Sequence, residues 1–520
     1  MTSVSMSYYP LDDFDLNGLQ PEPRRGYSAR NWCRVGLTIS WILGLAAVAS
    51  GALFLKFGQP SFYLEPGWKE ILPLLINIIV TLLNESMGYL HGTVLRWALL
   101  EKGKLTFNSN LRLISHSPGT RANSTPANVL VFFCIVLTYA TPSLTFLSYN
   151  SALDTALGHS SGLEDNKIHV SSIALVFFGS GLIGQALFTT WSILEISPKL
   201  ILTWSSSPLD VLYACRLGRK LKPKEGRCMF SVHLLSEETR PIRPSPRQGS
   251  AWGACKSVKY TVILLWGIIP LVVLWGLTLY MTIRDGNPNG VLGKSWSFLP
   301  VYSTSYRCVE KPQIYCTDGT SVLNIGWSYG DKPKVVISSI FMLAGFQAVL
   351  TFGLHSVELL VNMSRDESVW RQATSTGTDS NYNSIAAACK SWQTWALLAS
   401  KAIVHWLFGL SVNVSYILGI NMYPPQIFYL AASIFAVALL ATYWATQRPM
   451  GPQPAAYGHL QTLCNLIDEF DYLMFWGQKE AGISSISHTV PAYAGTASKQ
   501  KLVSDIVPNM EYGGRRRGTY

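Results

Sequence analysis

The sequence predicts an all-α fold: a polytopic integral membrane helix bundle of about eight transmembrane helices, with both termini cytoplasmic. Three observations carry that reading. Only 14% of the 520 residues are charged, against about 25% in a soluble domain. The mean hydropathy of +0.22 therefore reflects scarce charge, since the hydrophobic share of 48% is ordinary. Apolar stretches of the length a helix needs to cross about 30 Å of hydrocarbon recur along the chain. Finally, Lys and Arg gather in alternate connecting segments, the mark of cytoplasmic loops.

Residues 1–34 form a cytoplasmic arm carrying Asp12, Asp13, Asp15 and Glu22 beside Arg24, Arg25, Arg30 and Arg34. Its acidic residues and the long apolar run that follows argue against a cleavable signal peptide, and the first helix reads as a signal anchor. The spans follow at 35–55, 71–90, 129–147, 170–194, 260–283, 335–361 and 427–445. Pro142, Pro270 and Gly179, Gly181 and Gly184 lie inside them, as bilayer helices tolerate. The stretch 395–419 is apolar but broken by Lys401 and His405, and its periodicity does not decide whether it crosses. Charge decides it. The loop after the second span holds Arg96, Lys102, Lys104, Arg112 and Arg121, and the loop 195–259 holds twelve Lys and Arg. The loops after the first and third spans hold almost none. An odd number of crossings would put the terminal Arg515, Arg516 and Arg517 outside; counting 395–419 gives eight and keeps them inside.

Within the cytoplasmic loop, Arg216–Arg227 (RLGRKLKPKEGR) reads either as a solvated loop or as a site for anionic lipid headgroups, at about 1 kcal/mol per charge near an acidic leaflet. The external loop 284–334 is rich in aromatics. It also holds Cys308 and Cys316, the only two of the nine cysteines in an external segment, so a disulfide between them is expected. No C-x-x-C or other metal spacing occurs, and no metal or cofactor is expected. Leu460, Leu463, Ile467, Phe470 and Met474 recur at helical spacing, which predicts a cytoplasmic amphipathic helix over 446–476. Residues 477–520, rich in Ser, Gly, Ala and Thr, read as a disordered tail.

Ionisable residues within spans are costly and draw a functional reading first. Here they are Glu85, His355, Glu358, Lys401 and His405. The predicted topology puts all five in the cytoplasmic half of the bundle. They can serve as a cytoplasm-facing polar cluster, or as a structural ion pair with side chains reaching for the interface.

No G-x-G-x-x-G, G-x-x-x-x-G-K-[ST], H-E-x-x-H or G-x-S-x-G pattern is present. Two segments, His91–Ile114 and Gly451–Lys479, resemble a family of uncharacterised multi-pass membrane proteins of filamentous fungi, through Trp97, Pro452–Pro454, Gly458–Thr462 and Trp476–Gly477. The resemblance implies an integral membrane protein of fungal source and supplies no activity. Three functions stay open: a non-enzymatic scaffold, sensor or accessory protein; a transporter or channel with a cytoplasm-facing polar cavity; and a membrane-embedded enzyme of a fungal metabolic pathway, with an enzyme the less favoured class. The lipid bilayer, of plasma membrane or endomembrane, is the expected partner. The net charge of +11 sits in the cytoplasmic segments, where it reads as an orientation signal; nucleic acid is not a partner.

Overall fold

The computed structural model describes residues 26–513 apart from 64–67, 149–166, 287–295, 301–306, 312, 318–322, 326–331, 380–383, 416–418, 472 and 485–488. The chain is mostly helical. Its principal helices are α1 (Tyr27–Phe57), α2 (Trp68–Glu101), α3 (Thr125–Ala140), α4 (Ser172–Glu195), α5 (Pro208–Leu217), α6 (Lys256–Gly286), α7 (Lys332–Arg371), α8 (Trp392–Ser411), α9 (Pro424–Thr446) and α10 (Leu460–Leu466). Among the described residues six are long and apolar enough to cross a membrane: α1, α2, α4, α6, α7 and α9. Their outer faces carry exposed Ile39, Ile42, Leu53, Ile263, Leu271, Phe341 and Leu439, side chains suited to lipid rather than water. The protein is thus membrane-embedded. Helices α1 and α4 approach closely because both carry glycine at the contact: a Cβ on Gly179 would stand 2.5 Å from the Gly44 carbonyl oxygen, and one on Gly51 2.8 Å from that of Ser172. Small residues allow such backbone contact where lipid supplies no hydrophobic drive.

Short strands tie the connecting segments together, two separate sheets making a first set and the strands about the C-terminal segment a second. In the first, β1 (Ser61–Tyr63) pairs with β3 (Lys167–Val170), which also pairs with β2 (Phe146–Ser148). A five-stranded sheet joins β4 (Arg307–Lys311), β5 (Gln313–Thr317) and β6 (Leu323–Ile325) to the hairpin β8 (Val412–Ser415) and β9 (Gly419–Met422). In the second set, β7 (Thr378–Asp379) pairs with β10 (Leu473–Glu480), and β10 with β11 (Tyr493–Ala497). Single bridges Phe107↔His459, Arg247↔Met450 and Ile242↔Tyr512 bring the α2–α3 and α4–α6 connections onto the C-terminal segment.

That second set is a folded cap. The C-terminal ends of α2 and α7 run past their apolar stretches and contribute its core. The indole N–H groups of Trp97 and Trp370, both buried, donate to Thr203 O (2.9 Å) and Pro454 O (2.8 Å). Asn108 pins four segments: its N–H donates to Gly458 O (2.8 Å), its amide to Ser206 O (2.9 Å) and Asp366 Oδ2 (3.0 Å), and its carbonyl accepts from Arg96 Nε (3.0 Å). Gly458 has φ 73°, and a Cβ there would stand 2.3 Å from Asp366 Oδ2, so only glycine fits. Glu367 accepts the N–H groups of Ala456 (2.9 Å) and Tyr457 (2.8 Å).

Three expectations change. The stretch 395–419 is helical only to Ser411; Val412–Ser415 turn into a strand, as their β-branched residues favour once a partner strand is present. The amphipathic helix over 446–476 is confined to Leu460–Leu466. Beyond it the Asp468 carboxylate accepts the Thr496 N–H at 2.7 Å, Ile467 is extended, and Met474 and Trp476 belong to β10. The tail 477–520 is not disordered over its described part: Tyr493–Ala497 is a wholly buried strand, and Tyr512 is buried too. Its small residues read as flexible by composition, yet they let a strand lie flush in the cap; a Cβ on Gly495 would strike Asp468.

Between α6 and α7 the backbone register sets Cys308 opposite Cys316, and the expected disulfide lies outside the described side chains. Trp296 stacks on Phe428 with centroids 5.8 Å apart, and Phe298 lies 5.7 Å from Trp406. In the basic stretch 216–227, Arg216 donates to Ile467 O (2.9 Å) and Arg227 to Leu235 O (2.7 Å), so both guanidinium groups serve the cap.

Candidate functional site

Helices α2, α7 and α8 bring four of the five intramembrane residues to one point. Lys401, on α8, has no exposed surface. Its ammonium donates to Glu85 of α2 and to Glu358 of α7. His355, one turn before Glu358, places Nδ1 2.8 Å from Glu358 Oε1 and 3.4 Å from Lys401 Nζ. An ionised carboxylate only accepts, so Nδ1 carries the proton. Nε2 is then an acceptor, and it has no partner although His355 is only 6% exposed.

His405 stands apart, one turn further along α8. Its ring stacks on Tyr139 at 3.7 Å, and Gln347 Nε2 lies 2.6 Å from its Nδ1. Tyr139 in turn donates to Thr81 Oγ1 at 3.2 Å. This is a neutral polar layer beside the charged one.

A cavity of about 440 Å³ opens against the cluster, with Glu85, His355 and Glu358 on its wall. Toward the cap it is lined by Arg96, Arg112 and Arg365. Arg365 stands seven positions after Glu358 on α7, so the two ends lie about 10 Å apart along the helix. Several lining atoms are buried without a partner: Thr189 Oγ1, Ser207 Oγ and Arg112 Nη2. Arg112 uses Nε on Asn128 Oδ1 at 3.3 Å, and burial pushes its pKa down to about 9. The one carboxylate at that end, Asp366, is held by Asn108 and by Ser109 Oγ at 3.3 Å. Buried polar groups ordinarily find partners, so unpaired atoms on residues that line a space of this size single it out as the candidate site. No grouping of His, Cys, Asp and Glu that could hold a metal ion occurs among the described residues.

Sequence reasoning missed Arg112 and Arg365, which fall outside the spans, and Tyr139 and Gln347, which are uncharged. Gln347, an amide in an apolar run, was the one signal within reach. Fold and site together define a membrane-embedded helical protein with a buried Lys–Glu–Glu–His cluster beside a polar cavity. Comparison of the chain with known protein families, with curated proteins and with solved structures gives no match.

Proposed function

We propose that the protein is a membrane transporter: an eight-span bundle with both termini cytoplasmic, whose inner half holds a cytoplasm-facing binding cavity for a small polar solute. The observation that carries this is the cavity of about 440 Å³ beside a fully buried lysine. A scaffold gains nothing from a void whose lining residues hold unpaired polar atoms, and such atoms in a core cost stability. The size suits a small-molecule site, which runs from about 300 to 1,000 Å³.

Two further features support eight crossings. α3 and the turn Pro142–Thr145 that extends it, like the twenty-residue α8, provide the length of a span at about 1.5 Å per residue. The strand pairings also respect an alternation: the connections after α1 and α3 pair with each other, those after α6 and α8 with each other, and those after α2, α4 and α7 with the segment after α9. Gly26, at the start of α1, abuts Ser205 of the second set, the set rich in Lys and Arg.

Alternating access is the property to test, because it needs no knowledge of the solute. In a Cys33→Ser, Cys389→Ser background, an Asn362→Cys reporter lines the cavity. A membrane-impermeant thiol reagent is expected to modify it from the cytoplasmic face and, more slowly, from the opposite face. Reactivity from the cytoplasmic face alone would remove the transport reading.

A further inference from the structure

If the cavity takes a solute, as proposed above, its two ends dictate the chemistry of that solute. The deep end offers acceptors. Glu85 and Glu358 share a single ammonium, Lys401, so with both carboxylates ionised and His355 neutral the group stands one positive charge short. His355 points the same way: it stands on the cavity wall, its Nδ1 serves Glu358, and its Nε2 is a buried acceptor with no donor. What satisfies both is a cation that donates hydrogen bonds.

The cytoplasmic end is the reverse. Arg112 Nη2 is a buried donor without an acceptor. Arg96 and Arg365 line the same region, and the one carboxylate among them is already held by Asn108 and Ser109. A simple cation would have to pass three arginines, and a simple anion would meet two carboxylates at the deep wall. Charge complementarity favours a molecule that carries both signs. The residues around the cytoplasmic end, Ser109, Asn110, Ser206 and Ser207, are polar loop residues, which suits entry from water.

We propose that the cavity binds a water-soluble amphoteric molecule, its ammonium seated between Glu85 and His355 and its carboxylate or phosphate among Arg112 and Arg365. The separation of about 10 Å between Glu358 and Arg365 along α7 favours a molecule whose two charged groups stand well apart over a compact α-amino acid.

The test uses the intact protein in phosphatidylcholine vesicles and reads the rate at which a maleimide modifies Cys389, an exposed thiol on the cavity wall. The probes are γ-aminobutyrate and ε-aminocaproate, with hexylamine and caproate as single-ended controls. ε-Aminocaproate is expected to slow the reaction about tenfold, which corresponds to about 1.4 kcal/mol, at concentrations where hexylamine and caproate, alone or mixed, leave it unchanged. Glu85→Gln and Arg365→Gln should each abolish the protection, and the wild-type comparison stands without either variant. The proposal is overturned if a single-ended probe protects as well, if no dissolved probe protects, or if phosphatidylethanolamine in the vesicle protects where dissolved probes do not. Any of these, with two-sided reactivity of the Asn362→Cys reporter retained, removes the amphoteric ligand and leaves the transport reading standing.

Discussion

Replacing Lys401 by methionine isolates what the buried ammonium does. Methionine keeps the unbranched stem and removes the charge. Glu85 and Glu358, which both contact Lys401, are then left facing each other without a countercharge. Removing one member of a buried ion pair typically costs about 3–5 kcal/mol. Here the two carboxylates keep 35% and 23% of their side-chain surface open, so water in the cavity screens part of the repulsion. We therefore expect a loss near the lower limit, about 3 kcal/mol. The same reasoning fixes a sign for the double variant. Glu85→Gln alone takes one hydrogen-bonding charge from Lys401, but in the Lys401→Met background it removes a repulsion. Lys401→Met/Glu85→Gln should thus be more stable than the sum of the two single effects by about 1–2 kcal/mol, within the range for residues in contact. The measurement is reversible unfolding in mixed micelles of increasing denaturing detergent, followed by tryptophan fluorescence. Additive single effects, or a Lys401→Met variant within about 0.5 kcal/mol of wild type, would refute the reasoning.

Four further outcomes follow from other parts of the molecule. Burial depresses the pKa of His459 from 6.5 to about 4; its folded value lies below its unfolded one, so its contribution is complete above pH 6.5 and lost as pH falls toward 4. His459→Asn, which keeps an acceptor for the Thr462 N–H, should flatten the thermal-stability profile in that window, and an unchanged slope would exclude His459 as its source. Glu367→Gln weakens the charge-assisted bonds to Ala456 and Tyr457 by about 2 kcal/mol, so proteolysis between 447 and 460 should quicken about 30-fold if it tracks local opening. Gly179→Ala puts a methyl 2.5 Å from the Gly44 carbonyl, and should destabilise the fold more than Gly267→Ala, where a Cβ meets nothing within 4 Å. Impermeant maleimide should label Ser245→Cys and Lys499→Cys from one face of the membrane and Tyr63→Cys only from the other; all three reacting from one face would contradict eight crossings.

How much of this was legible in the sequence depends on the solvent each residue meets. The spans could be read because lipid imposes one rule on every residue facing it, and runs such as Ile427–Ala445 obey it without exception. The cap could not, because its partners lie far apart in the chain. Nothing local to Tyr493–Ala497 announces a buried strand; Ala494, Gly495 and Ala497 lie opposite Gln478, Gly477 and Phe475, and Thr496 among them meets Trp476 and Asp468. Leu460, Leu463 and Ile467 had the spacing of a helix, and they are buried. That spacing cannot tell a short helix followed by a turn from a long one, since three contacts on one side satisfy both.

The site divides along the same line, and the division explains its form. Lys401 stood out because a charge inside an apolar stretch has few physical answers: it must be paired, and the predicted topology left Glu85 and Glu358 at the right depth. Arg112 and Arg365 carried no such signal. Each reads as an ordinary loop arginine until α2 and α7 extend past their apolar stretches and the cap closes over them. Asn108 makes that closure: it receives Arg96, holds Asp366 and binds the Gly458 carbonyl. By holding the carboxylate at the cap end of the cavity, it leaves the neighbouring guanidinium groups without that partner. The deep end of the cavity is therefore set by the chemistry of the membrane, which forces a lysine to gather carboxylates. Its outer end is set by the folding of the cap, which keeps a carboxylate away from the arginines. Opposite polarity at the two ends is the consequence of two different solvents acting on one space.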